Sequence, residues 1–79
     1  MLDIYSLVEG TTYTIEKDFT DFYNQPFFRG EKLTFVERNF LPYDGGHTIV
    51  FIQRTLYLQE EMNKNILDNL NAYLSAELR

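Results

Sequence analysis

The sequence predicts an α+β fold: a small antiparallel sheet of four or five strands, sealed by one amphipathic helix at the C-terminal end. Three observations predict it. Apolar and polar residues alternate with period two in "TTYTIEK" and again in "EKLTFVE"; a nearly continuous apolar run, "HTIVFIQ", follows a double glycine; and from Gln59 onward the period lengthens to that of a helix. The 79 residues are read as a single domain, 1–79. A chain this short buries only roughly 60% of its unfolded surface, so its core has to be economical.

Leu2 to Val8 carries apolar residues at Leu2, Ile4, Leu7 and Val8, which suits a short helical turn or an extended arm ended by Gly10. The first strand is placed at 12–17, with Tyr13 and Ile15 on one face and Thr12, Thr14 and Glu16 on the other. Between Asp18 and Arg29 the alternation is lost, and Asn24-Gln25-Pro26 breaks any helix or central strand. So long and apolar a connection is expected to fold back over the end of the sheet or to form a docking surface.

The second strand is placed at 31–39, with Leu33 and Phe35 facing inward. Pro42 bends the chain after it, and "YDGGH" makes the hairpin turn, because Asp and Gly tolerate the positive φ angles of tight hairpins. The apolar run at 47–53 reads as a central strand covered on both faces, and 55–58 as a short last one. The helix is placed at 60–76. At 100° per residue, Met62, Ile66, Leu67, Leu70, Tyr73, Leu74 and Leu78 fall within an arc of roughly 160°. Glu60 and Glu61 suit the positive end of its dipole, and Glu60 with Lys64 forms a supportive i,i+4 pair.

Composition excludes several functions. Seven Lys+Arg stand against twelve Asp+Glu, a net charge of -5, and no stripe of bases is present. Phosphate neutralisation supplies most non-specific nucleic-acid affinity, so neither nucleic acid nor an anionic membrane is an expected partner. The chain has no cysteine, hence no disulfide and no thiolate metal site. "MLDIYSLVEG" lacks the basic and apolar segments of an export signal, so a cytoplasmic location is expected.

The strings "LVEGTTYTIEKDFTDF", "FFRGEKLTFVERNFLPYDGG", "TIVFIQ" and "LYLQEEMNKNIL" resemble a family of small bacterial domains of unknown function. The resemblance runs from about Leu7 to Leu74, and "RGEKLTF" and "LYLQEE" are its most specific parts. It implies a small SH3-like antiparallel β-barrel with a C-terminal helix, and it brings no activity or cofactor with it. SH3 domains that grip proline-rich peptides use an indole and a Pro-x-x-Tyr motif. This chain has neither a Trp nor that motif.

Asp44-Gly45-Gly46-His47 is the one place where a carboxylate and an imidazole lie close in sequence, and no nucleophile with a recognisable motif accompanies them. It reads as a hairpin turn followed by an exposed strand residue. Glu16, Asp18 and Asp21 lack the ligand ladder of a calcium loop and read as solvated carboxylates, one of them capping a turn. Gly30 belongs to no phosphate-binding string and reads as a backbone turn or bulge. No catalytic, cofactor-binding or metal-ligating residue is assigned.

The aromatics are different. Phe19, Phe22, Tyr23, Phe27 and Phe28 cannot all enter a core that already holds the inward residues of four strands and a helix, so some are expected at the surface. Together with Tyr43 of the neighbouring hairpin they form the candidate protein-binding site, because aromatic anchors dominate interface energetics. The expected function is a non-enzymatic protein-interaction module whose partner is a protein or peptide, self included. Two alternatives are an acidic inhibitor or immunity-type protein that covers a basic partner, and a structural homodimer joined through the helix.

Overall fold

A computed structural model describes residues 2–77. Along the chain lie β1 (Thr12–Ile15), β2 (Phe19–Thr20), β3 (Pro26–Phe27), β4 (Lys32–Leu41), β5 (Gly46–Phe51) and β6 (Thr55–Gln59). Helices α1 (Lys64–Asp68) and α2 (Leu70–Tyr73) follow, then β7 (Leu74–Ala76). Five strands form one sheet in the order β6-β5-β4-β1-β7, and β2 pairs with β3 in a separate two-residue ladder. Every pairing is antiparallel.

The alternation that marked the strands decides which face is buried. Tyr13, Ile15, Leu33, Phe35, Ile49, Phe51, Leu56 and Leu58 all point into one core, where Phe27 and Ile4 join them. The four-residue connection after Leu41 closes through Gly45, whose φ of 69° is a conformation that favours glycine. Asp44 supports the turn by accepting the Gly46 amide at 3.0 Å. Gly30, at φ 93°, turns the chain into β4, and its amide donates to Ile15 at 2.8 Å.

Several expectations need correcting. The sheet does not close into a barrel: its order is linear, with β6 and β7 at the two ends. β5 is an interior strand, between β4 and β6, but it is not covered on both faces. Its buried residues alternate with half-buried ones, and Ile52 just beyond it is 72% exposed. The central strand is β4.

The largest correction concerns the C-terminal segment, where the single helix expected at 60–76 is replaced by two short helices and a strand. Four asparagines, Asn63, Asn65, Asn69 and Asn71, weaken the helix because their side chains compete for backbone groups. Asn63 Oδ1 accepts the Gln59 amide at 2.9 Å, and Asn69 Nδ2 donates to the Asn65 carbonyl at 2.8 Å. At Leu74 the backbone becomes extended, with φ -129° and ψ 142°, and pairs with Ile15 of β1. Ile66, Leu70, Tyr73 and Leu74 are core residues, as the apolar arc requires, whereas Met62 is 75% exposed. Leu78 lies outside the described residues. Lys64 pairs with Asp68 at 2.9 Å instead of Glu60, and that carboxylate, by hydrogen bond and charge, raises the lysine above its ordinary pKa.

Candidate functional site

Several side chains fasten the segment between β1 and β4 to the sheet: Gln25 Nε2 donates to the Thr55 carbonyl at 3.4 Å, Arg54 donates to the Pro26 carbonyl at 3.0 Å, and a carboxylate makes the most bonds of all. Asp21 is buried, and its carboxylate accepts four hydrogen bonds: from the Tyr23 and Gln25 amides at 3.0 and 2.9 Å, from Gln25 Nε2 at 2.8 Å, and from the Tyr57 amide of β6 at 3.2 Å. The Phe22 amide donates in turn to the Tyr57 carbonyl at 2.8 Å. Of the three acids read as solvated with one capping a turn, Asp21 is a turn-capping one, and it is buried and not solvated. It satisfies the tight turn at Asn24, whose φ is 61°, and also ties that turn to the outer side of β6.

This anchoring sorts the five aromatics of the segment. Phe27 is fully buried, and Phe19, partly buried, stacks on it at 5.0 Å and meets the Tyr73 ring edge-on at 5.4 Å. Arg54 lies over the other face of Phe27, 3.8 Å from the ring centre, and forms an ion pair with Glu31 at 3.1 Å. Phe27 is therefore a core residue and not part of a binding surface, and Phe19 mainly supports it. Phe22 and Tyr23, by contrast, are 41% and 64% exposed. They pack edge-to-face on each other at 5.1 Å, and Tyr23 packs in the same way on Tyr57 at 4.9 Å. Phe28 is exposed, away from this cluster, next to the turn at Gly30.

Phe22, Tyr23 and Tyr57 line a shallow groove of about 40 Å³ beside β5 and β6, together with Leu41 and Asp44. The hairpin tip beyond it presents Tyr43, fully exposed, in a second depression shared with Glu60 and Glu61. Asp44 and Gln59 line both, so the aromatic groove and the acidic tip are continuous. Gln59 braces the junction by donating to the Asp44 carbonyl at 2.6 Å and accepting the Glu61 and Met62 amides. Sequence reading missed Leu41 and Tyr57. The alternation leaves Tyr57 outward, between the buried Leu56 and Leu58, whereas Leu41 has the parity of the inward Leu33 and Phe35 and is turned outward only by the bulge between Phe35 and Glu37, so nothing in the sequence pattern marks it.

His47 is not the exposed residue expected. It is 2% exposed, lies against Phe40 at 4.7 Å between ring centres, and meets Tyr5 edge-on at 6.2 Å. Its Nε2 is 3.3 Å from Glu60 Oε1, while Nδ1 is buried with no partner among the described residues. The alternation alone places it inward, since it shares a face with Ile49 and Phe51. A cleft of about 290 Å³ lies beside it, lined by Asp3, Tyr5, Glu60 and Lys64 among others. Among the described residues no group of three or more His, Cys, Asp or Glu is placed to hold a metal ion, and no helix is long and apolar enough to cross a membrane.

No family model matches the chain, and no curated protein matches it. Among solved structures the chain is similar to an integron cassette protein from the mobile metagenome of Vibrio cholerae. The two share 26% identity with a TM-score of 0.85, over 90% of this chain and 88% of that one. The common ground is a small α+β fold of mostly antiparallel strands with few, short helices.

Proposed function

We propose that the protein is a non-catalytic interaction module whose docking surface is the groove lined by Phe22, Tyr23, Tyr57 and Leu41, extended by Tyr43 and the acids at the hairpin tip. One observation carries this reading. Phe22 and Tyr23 are exposed, yet their backbone is held by the buried Asp21 and by β6. Aromatic side chains fixed in advance lose little entropy on binding, which makes them effective anchors. Of the residues expected at the site, Phe22, Tyr23 and Tyr43 belong to this surface; Phe28 stands apart from it, and Phe19 and Phe27 support it from inside.

The partner's chemistry follows from the rim. Asp44, Glu60 and Glu61 surround Tyr43, and the whole chain carries -5. A protein or peptide segment with an apolar residue for the groove and a Lys or Arg over the Tyr43 ring fits both parts. The acidic inhibitor reading is the same surface seen from a strongly basic partner. A dimer formed through a broad helical face loses its support, because Ile66, Leu70, Tyr73 and Leu74 are buried within the protomer. A cytoplasmic, bacterial setting suits the absence of cysteine, and the SH3-like comparison adds no ligand to the proposal.

The test is capture of partners from native cells by immobilised wild type, Phe22→Ala/Tyr23→Ala, and Phe28→Ala as control. A partner retained by wild type and the control, lost with the double variant, and released by moderate salt is the expected result. A partner that binds the double variant equally well refutes the proposal.

A further inference from the structure

The second half of β4 has a free edge. β1 pairs with β4 only at Lys32, Leu33 and Thr34, and the last bonds between them join Phe35 to Thr11 and Gly10. A β-bulge between Phe35 and Glu37 then carries β4 onward beside β5 alone, as far as Leu41. From Val36 to Leu41 every residue but Arg38 is exposed.

The register shows which backbone groups lie on that edge. In β5, the Phe51 amide donates to Arg54, and the Gly45 carbonyl just before the strand accepts the Glu60 amide, so odd-numbered residues face β6. The even-numbered ones face β4, as Ile52 confirms by donating to Thr34 at 2.9 Å. Gly46, Thr48 and Val50 are therefore bonded to Leu41, Asn39 and Glu37, their partners in register. The N–H and C=O groups of Arg38 and Phe40 point the other way, and no backbone or side-chain group among the described residues meets them. The other edges are managed. β7 is three residues long, and β6 is met by Asp21, Phe22, Gln25 and Asn63.

We infer that this edge is the self-association surface of the protein, and that a second copy of the chain adds its own β4 antiparallel to it about a two-fold axis at Asn39. Antiparallel pairing of one strand with itself requires the two-fold to stand perpendicular to the sheet, so paired positions differ by an even number. With Asn39 at the axis, Arg38 faces Phe40 of the second copy in a hydrogen-bonded pair, and the symmetric pair repeats it. All four free groups of each chain are then satisfied. The neighbouring registers are worse: an axis at Arg38 sets two guanidiniums opposite each other, and an axis at Phe40 sets Arg38 against Pro42, which has no amide. The Arg38 guanidinium already lies over its own Tyr5 ring at 4.5 Å, and in the favoured register the Phe40 ring of the second copy comes beside it with no cation opposite, while the carboxylate of Glu37 meets the apolar Leu41 with no like charge opposite. The two copies share one continuous sheet with both outer grooves on the same side, an arrangement that is independent of the partner's identity and makes docking bivalent.

Cysteine cross-linking tests the register, since the chain has no cysteine of its own. Residues at a non-hydrogen-bonded antiparallel pair lie about 4.5 Å apart at Cα, within disulfide range. Asn39→Cys is therefore expected to form a covalent dimer under mild oxidation, whereas Glu37→Cys, about 13 Å from its symmetry mate, stays monomeric. Light scattering of the wild type should give twice the monomer mass, and Asn39→Lys, which sets two like charges in contact at an exposed site, should return it to the monomer. A wild type that is monomeric at high concentration, or equal cross-linking of the two cysteine variants, overturns the inference.

Discussion

The outer side of β6 and the far half of β4 pose the same problem and meet it differently. Each is a strand flank with backbone groups that the sheet leaves unpaired. At β6 a buried carboxylate and a folded segment fill the gap, and the amide and carbonyl of Tyr57 are both taken. At β4 the Tyr5 ring lies over the Arg38 guanidinium at 4.5 Å, but among the described residues no group of the chain bonds the open backbone edge beyond Phe35. The difference teaches that a loop becomes part of a sheet when one of its side chains supplies acceptors on both sides, here to its own turn and to the strand it covers. It also explains how exposed aromatics are held in place in a domain this small.

Substitutions along the segment break that comparison in graded steps. Phe27→Ala removes a fully buried ring and should cost about 3–5 kcal/mol, read from urea unfolding midpoints. Asp21→Ala leaves buried amide donors unsatisfied and frees the segment from β6, so a loss of about 3 kcal/mol is expected, with the Tyr57 amide losing its protection from hydrogen exchange. Tyr23→Ala gives up only the edge-to-face contacts with Phe22 and Tyr57, about 0.5–1.5 kcal/mol, while partner capture falls far more than stability does. Asn39→Lys at the open edge should shift the monomer's stability by no more than about 0.5 kcal/mol, measured in dilute solution.

These gradations mark what was legible in the sequence. Period-two alternation is a local property, and it located the inward residues of β1, β4, β5 and β6; applied to His47 it also gives the buried position that turn chemistry hid. The helical period correctly grouped Ile66, Leu70 and Tyr73, but it could not see that Leu74 becomes extended, because the reason is a pairing with Ile15 far back in the chain. The four asparagines were the available local warning. Asp21 was opaque for the same cause: its decisive partner, Tyr57, is 36 residues away. Of the aromatic site, the residue types were readable. Which rings went in and which stayed out depended on the anchoring of the turn, and so on that distant contact.

The central claim is that Asp21 makes the aromatic segment as fixed as a strand while the far half of β4 stays open in the isolated chain. Residue-resolved amide hydrogen exchange on the dilute protein measures both at once. The account predicts slow exchange at Phe22, Gln25 and Tyr57, comparable with the interior of β5, and fast exchange at Arg38 and Phe40. Fast exchange at Phe22 and Tyr57 would contradict it.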